Sequence, residues 1–383
     1  MSMISSPWIP STLSAASLLG RTAEVRYSRA ARRLVAGSCV LVTGAGGSIG
    51  SEIVRQLRRL RPGAVYLLDH DECALQSVQL ELAGHGLLDD DHFVLGDVRD
   101  QRLVDDVMRW VRPDVVYHAA AHKHLPLLER YPAEGVKTNV IGTQNVVSAA
   151  VAAGVGKVVN ISTDKAARPT SVLGLTKRVA EQVVASHAGG ATAVCSVRFG
   201  NVLGSRGSFL PLLAYQVASG RPVTVTHRDA ARYFMTIPEA AGLVIESSAM
   251  ARRGETYVLD MGAPVRILDL VRRFFDAVGV APTPTVAFTG LRPGEKLTED
   301  LVDGAERQER TDHQRIFVVH ATSPAAADFP MRIKSLALLA RDGRGDELTR
   351  AMTALLAVAG VEPRVVDLRD DVLAELPLQR HSA

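Results

Sequence analysis

From Cys39 onward, short apolar runs alternate with amphipathic segments, and this alternation organises the chain. Cys39-Val40-Leu41-Val42-Thr43 reads as a strand and Ser48 to Leu60 as a helix, followed by a strand at Ala64 to Asp69 and a helix at Cys73 to Ala83. His92 to Val98, Asp114 to Ala120 and Lys157 to Ile161 continue the strands with helices between, and a helical pattern runs from Ser171 to Ala188 after the Arg168-Pro169 break. Continuous β-branched runs of this length are the pattern of strands buried on both faces. Their alternation with helices implies right-handed crossovers and a doubly wound parallel sheet, an α/β fold. After Thr192 to Val202 the rhythm loosens. Helices are expected at Phe209 to Ala218, Glu239 to Met250 and Ile267 to Val278, with strands at Val223 to Thr226, Thr256 to Leu259 and Thr285 to Phe288. These read as a smaller lobe, partly interleaved with the sheet.

The division expected is an arm over 1–36 with a short helix near Ser28 to Leu34, the sheet domain over 37–202, the lobe over 203–303, and a helical extension over 304–383. In that extension Ser335 to Ala340 and Glu347 to Ala359 have the helical period.

Charge narrows the partners. The 383 residues carry 44 basic and 41 acidic side chains, a net +3, too balanced to argue for nucleic acid or an anionic membrane surface. Cys39, Cys73 and Cys195 are too few and too scattered for a disulfide framework or a zinc site, which points to a reducing compartment. Met1 to Gly20, broken by Pro7 and Pro10, lacks the layout of a signal peptide, and no apolar run approaches the ~20 residues of a membrane helix. The expectation is a soluble, cytoplasmic protein.

Thr43-Gly44-Ala45-Gly46-Gly47-Ser48-Ile49-Gly50 joins the first strand to the first helix. Gly44 permits a tight turn, Gly47 lets the backbone approach a pyrophosphate, and Gly50 allows close helix–strand packing, so the amides at Gly46, Ser48 and Ile49 can hold phosphate at a helix start. Asp69 ends the next strand about 19 residues beyond Gly50, the place of a carboxylate that accepts from ribose hydroxyls. Asp71 and Glu72 follow with no adjacent arginine, favouring NAD over NADP. Asp97 and Val98, at the third strand end, are candidates for the adenine, and Ala119 for the edge beside the cofactor. The sheet domain therefore reads as a Rossmann-type dinucleotide-binding domain.

The chemistry is expected at Ser162-Thr163-Asp164-Lys165, at the carboxyl end of a buried strand, with Lys177 on the following helix. His118, His122 and His124 lack the carboxylate or cysteine that would complete a ligand set, and no metal is expected.

The glycine loop, Ala119-Ala120-Ala121-His122-Lys123-His124-Leu125-Pro126, Ser162-Thr163-Asp164-Lys165, Arg198-Phe199-Gly200-Asn201-Val202-Leu203-Gly204-Ser205, Tyr233-Phe234-Met235-Thr236 and Leu291-Arg292-Pro293-Gly294-Glu295-Lys296 occur in that order. Together, over residues 18 to 303, they resemble the extended short-chain dehydrogenase/reductase superfamily, and within it the polysaccharide-biosynthesis 4,6-dehydratases of UDP-N-acetylglucosamine. One departure stands out. The superfamily usually has a tyrosine four residues before the helix lysine, and this chain has Leu173. A leucine cannot move a proton, so the tyrosine-base mechanism is excluded. The membrane-anchored branch has methionine there, and the chain is similar to a soluble relative of it, which favours retention at C5.

The resemblance implies an internal redox elimination with NAD as cofactor. Hydride leaves C4, Lys165 as neutral amine removes the C5 proton, Asp164 protonates the departing 6-hydroxyl, and hydride returns to C6. Such a pair needs the lysine pushed down and the acid pushed up. Thr163 would bond the 4-hydroxyl, and Lys177 would hold the cofactor ribose and help deprotonate that hydroxyl. For the UDP-sugar, the residues expected are Lys123, Asn139, Asn201, Arg232, Arg292 and Glu295, with arginine suited to the diphosphate. A homo-oligomer is expected. An epimerase sharing the C4-ketone intermediate, and a silent NAD-binding scaffold, remain as alternatives at this point.

Overall fold

A computed structural model describes residues 15–21, 26–252, 254–280, 282, 284–320, 328–361 and 363; the parts of the expected arm at 1–14 and 22–25 and of the extension at 321–327, 362 and 364–383 lie outside the described residues. The strands of the central sheet are β1 (Cys39–Thr43), β2 (Ala64–Asp69), β3 (Phe93–Leu95), β4 (Val115–His118), β5 (Lys157–Ile161), β6 (Ala193–Arg198), β7 (Glu255–Leu259), β8 (Gln308–Arg310) and β9 (Ile316–Val319). They form one nine-stranded sheet in the order β8-β9-β7-β6-β5-β4-β1-β2-β3. β1 to β7 pair in parallel, with His118 opposite Asn160 and Ile161 opposite Val197, so the carboxyl ends of β1, β4, β5 and β6 share one edge.

The extension departs from expectation. It is not wholly helical: β9 pairs antiparallel with β7 and β8 antiparallel with β9, completing the sheet. Helices Phe329–Arg341 and Gly345–Val358 follow.

Helix Val172–Ser186 carries Lys177. Ser171 caps it, its side chain accepting from the Gly174 N–H, which satisfies one of the free donors at a helix start. Fourteen of its 15 residues are buried. β6 packs on one side, and its Leu173, Leu175, Val179 and Val183 share an apolar cluster with Phe329, Ile333, Leu348 and Met352 of the extension. The extension is thus part of the packing that fixes the lysine.

The arm packs on the chain's own body. Helix Arg29–Val35 is capped by Ser28 and buries Ala31 and Val35 in the main core, while Leu18 joins the lobe's cluster with Leu213, Phe234 and Phe274. Arg21 donates to the carbonyls of Met261 at 2.6 Å and Phe234 at 2.7 Å. The lobe itself holds three two-stranded pairings, Asn201–Leu203 with Phe234–Thr236, Ala231–Arg232 with Val265–Arg266, and Val223–Val225 with Val286–Phe288.

Beneath the β5 tip lies a buried ionic network. Arg198, fully enclosed at the end of β6, donates Nε to Glu181 Oε1 at 2.7 Å and Nη2 to Glu181 Oε2 at 2.6 Å. Its Nη1 and Nη2 reach Glu306 at 2.7 and 2.8 Å, and Arg178 bonds both glutamates. Ser162 donates to Glu181 at 2.6 Å, joining the strand tip to the network. Burial disfavours the Glu306 carboxylate, but the Arg198 hydrogen bonds and charge, with Arg178 behind them, outweigh it and bring its pKa down to about 2.

Two outcomes follow from this network. Arg198→Ala leaves two buried carboxylates short of charge and should cost about 3–5 kcal/mol in urea denaturation. Because the folded-state pKa of Glu306 lies below the ordinary ~4.3, its contribution is full above that value and disappears as pH falls through about 2. The stability gap between the native protein and Glu306→Gln should therefore narrow from pH 6 to pH 2.5, and a gap that is constant with pH would contradict the assignment.

Candidate active site

The glycine loop has the geometry of a phosphate cradle. Gly44 has φ +66°, and a Cβ there would stand 2.5 Å from Ala120 N and 2.7 Å from the Ala119 carbonyl carbon, so β4 and the loop meet with no room for a side chain. A Cβ at Gly50 would lie 2.1 Å from Gly44 O. Gly47 is the N-cap of helix Ser48–Arg58 with no side-chain cap, which leaves first-turn N–H groups for a ligand. Asp69 is buried and accepts from Gly46 N at 2.8 Å and Asp71 N at 3.0 Å, with lone pairs left for ribose hydroxyls. These residues fit a dinucleotide. Ser48 Oγ accepts from Arg206 N at 3.1 Å, and Ile49 packs against the main core. Asp97 is engaged with Arg99, at 2.7 Å, and buried Val98 offers its carbonyl to Asn145.

At the β5 tip, Thr163 Oγ1 donates to Asp164 Oδ1 at 2.8 Å and Lys165 Nζ donates to the same oxygen at 3.0 Å. Lys165 Nζ also donates to Asn201 Oδ1 at 3.3 Å and stands 3.6 Å from Glu299 Oε1. Asp164 is wholly enclosed, and its Oδ2 has no hydrogen-bond partner. A Cβ on Gly200 would come within 2.9 Å of that oxygen, so Gly200 leaves room for the acid. Lys165 and Thr163 are the part-exposed members.

This corrects one expectation. Lys165 is not pushed down: burial acts in that direction, but the carboxylates of Asp164 and Glu299 overcome it and raise its pKa. Asp164 does not face open space, and its hydrogen bonds are all made through Oδ1.

Lys177 has the opposite surroundings. Burial lowers its pKa to about 8, with Glu181 opposing, and no hydrogen bond to it is found among the described residues. Leu173, one turn earlier, is packed in the apolar cluster under the extension. Among the expected substrate residues, Arg232 and Glu295 are brought together at 2.8 Å, and Arg232 also donates to the Ala231 and Leu297 carbonyls. Exposed Arg292 pairs with Glu295 at 3.2 Å. Lys123 donates to Ser205 at 3.3 Å, its pKa lowered by burial and by Arg206. Asn139 is engaged within the protein. It is fully buried in a π-helical stretch, accepts from His122 N at 2.8 Å, and donates to His122 O and Thr176 Oγ1, tying the His122 loop to the lysine helix. His118 is likewise internal, between Thr43 and Thr143 hydroxyls.

Glu299 was not among the expected residues. It lies three residues beyond Lys296 in a segment with no regular period, and tertiary pairing of that segment, including Ala231 N with Leu297 O at 2.9 Å, brings it to Lys165.

A glycine cradle at a parallel-sheet edge, with an Asp-Lys tip and a buried helix lysine, places the chain in the extended short-chain dehydrogenase/reductase superfamily. Residues 40–321 match the model of a family described as "Polysaccharide biosynthesis protein", and the chain belongs to that family. It is 45% identical over 305 residues to the capsular polysaccharide biosynthesis protein CapD of Staphylococcus aureus, covering 78% of this chain and 51% of CapD. The chain thus spans about half the length of that relative. A UDP-glucose 4-epimerase of Rickettsia canadensis is 34% identical over 293 residues, with 72% and 82% covered. Among solved structures, Pen from Bacillus thuringiensis superposes with a TM-score of 0.69 at 33% identity, covering 76% of this chain and 88% of Pen. DesIV, a dTDP-glucose 4,6-dehydratase from Streptomyces venezuelae solved with NAD and TYD bound, gives a TM-score of 0.61 at 25% identity, with 69% and 88% covered. No described helix is long and apolar enough to cross a membrane.

The packing around Leu173 sets an expectation for stability. Leu173→Tyr overfills the cluster it shares with the extension and should cost about 1–3 kcal/mol, read as a lowered midpoint in thermal denaturation; an unchanged or raised midpoint would show that the position has spare volume.

Proposed function

We propose that the chain is an NAD-dependent nucleotide-sugar 4,6-dehydratase acting on UDP-N-acetylglucosamine. The observation that carries this reading is the Lys165–Asp164 hydrogen bond of 3.0 Å at the sheet edge beside the glycine cradle. When bound, the nicotinamide supplies the hydride acceptor for C4 and the donor for C6. The chain's own residues supply the protons.

Lys177, with a pKa of about 8, is suited to take the 4-hydroxyl proton near neutrality. Transfer of one proton from Lys165 to Asp164 turns the ion pair into a neutral amine and a neutral acid without changing the net charge. One short hydrogen bond thereby yields both a base for C5 and a proton source for the 6-hydroxyl. Thr163, already bonded to Asp164 Oδ1 and part exposed, is the route by which that proton reaches the leaving oxygen. Lys165 then returns its proton to C5 on the face from which it came, which retains configuration. The balance closes: the C5 proton comes off and goes back, and the proton lost from O4 equals the one gained by the departing water.

Arg292, with Arg232 and Glu295 behind it, supports the diphosphate and ribose, and Asn201 holds the Lys165 amine from the side opposite in sequence to Asp164. Asp69 favours NAD, since a 2′-phosphate would meet a buried carboxylate with Asp71 and Glu72 beside it. The likeness to an epimerase keeps one rival reading in view, in which C4 is oxidised but no water is lost.

The product decides between them. Incubation with UDP-N-acetylglucosamine should give a 4-keto product lighter by one water by mass spectrometry; an unchanged mass with altered ring proton couplings would mean an epimerase. Lys165→Ala should still form NADH in a single turnover yet lose elimination by at least about 10²-fold, and Asp164→Asn should do the same. Asp69→Ala should weaken NAD binding in calorimetry, and preferential retention of NADP by the native protein would refute the cofactor assignment.

A further inference from the structure

Glu299 is a third ionisable group in the same enclosure, and the elimination as written gives it no part. Its side chain is 3% exposed, and its Oε1 lies 3.6 Å from Lys165 Nζ. Its Oε2 is buried without a hydrogen-bond partner; the nearest cation is Lys296 Nζ at 3.9 Å, beyond hydrogen-bond reach. The carboxyl is not there by side-chain reach alone. Ala231 N donates to Leu297 O at 2.9 Å, Arg232 Nη1 donates to the same carbonyl at 3.0 Å, and Thr298 bridges Ala231, so the backbone fixes Glu299 beside the Arg232 strand.

Charged groups face Glu299 from every element around it. Asp164 and Lys165 come from the β5 tip, Arg232 from the lobe strand, and Lys296 from its own segment, with Asp300 and Glu295 one step behind Lys296 and Arg232. An ionised carboxyl with an unbonded buried oxygen is disfavoured. Burial accordingly raises the Glu299 pKa, with Asp164 adding to it, and the cations Lys165, Arg232 and Lys296 oppose without prevailing.

We propose that Glu299 is a positioning residue of the acid–base pair, whose protonation state decides whether the proton shared by Lys165 and Asp164 resides on the amine or on the carboxyl. The inference rests on reading Lys165 and Asp164 as the acid–base centre. With Glu299 ionised, its carboxylate 3.6 Å from the amine favours the ammonium form and holds the shared proton on Lys165. With Glu299 neutral that attraction is gone, and the proton moves more readily across the 3.0 Å hydrogen bond to Asp164. Glu299 touches no reacting atom and gains no proton over the cycle.

Glu299→Gln keeps the shape and fixes the neutral state at every pH. The test uses the full-length chain labelled with 13C at the lysine ε-carbon, with Lys165→Arg to assign the resonance. In Glu299→Gln the Lys165 titration should fall by about one pH unit or more, the effect of removing an opposite charge within ~4–6 Å. Glu299→Asp, which keeps a carboxylate, should hold it nearer the native value. In the same variants, elimination is followed across the same pH range. An unmoved Lys165 titration overturns the proposal whatever reaction the enzyme performs. A lowered titration with elimination lost at every pH overturns it as well, because Glu299 would then be an acid acting on the substrate. If the titration falls but no form of the enzyme releases water from the UDP-sugar, the coupling of Glu299 to Lys165 holds and the dehydratase reading fails.

Discussion

The arrangement of the catalytic edge depends on the Arg198 guanidinium. It is wholly enclosed and fully engaged, with forked hydrogen bonds to Glu181 on the lysine helix and Glu306 at the start of the extension. Planar, always charged and able to bond two carboxylates at once, arginine suits such a junction. Desolvating these charges is costly, so the network contributes little to net stability compared with an apolar core of the same shape. Its effect is geometric. β6, the helix of Lys177, the Ser162 tip and the return of the chain into β8 and β9 are joined at one point. A displacement of any of them leaves a buried charge unpaired.

On that fixed platform the two lysines of the site are driven in opposite directions. Lys177 is surrounded by apolar packing with one acid a turn away, so burial governs and its ammonium form is weakened. Lys165 sits within reach of two carboxylates, and their attraction exceeds the burial penalty. The same residue type is thus made less basic in one place and more basic in the other. This is the general way in which one fold separates acid and base duties near neutral pH.

Much of this was legible from residue order because the signals were local. β1, β2 and β5 begin and end where the apolar runs do, and the cradle glycines are demanded by backbone contacts that any side chain would violate. The Asp164-Lys165 tip was equally plain, since it ends a buried strand. What escaped was tertiary. Gln308–Arg310 carries no apolar residue, so its place at the sheet edge has no period to announce it, and Ile316–Val319 is a short run that fits strand or helix. The Lys165 shift was misjudged because the sequence shows one neighbouring acid, whereas the fold brings a second from 134 residues away, as the numbers 165 and 299 give. Asn139 stands where the resemblance puts an ordering asparagine, and its bonds to His122 and Thr176 are of that kind.

Leu173 has a consequence for the lineage of such sites. An exposed residue that loses its role can drift and return, because neither step disturbs its neighbours. Here the side chain has been absorbed into a cluster to which the later helices of the chain contribute Phe329, Ile333 and Leu348. Those partners close around a branched aliphatic, so an aromatic ring at this position needs several distant positions to change together. The residue here is held by packing across the chain rather than by its own neighbours in sequence.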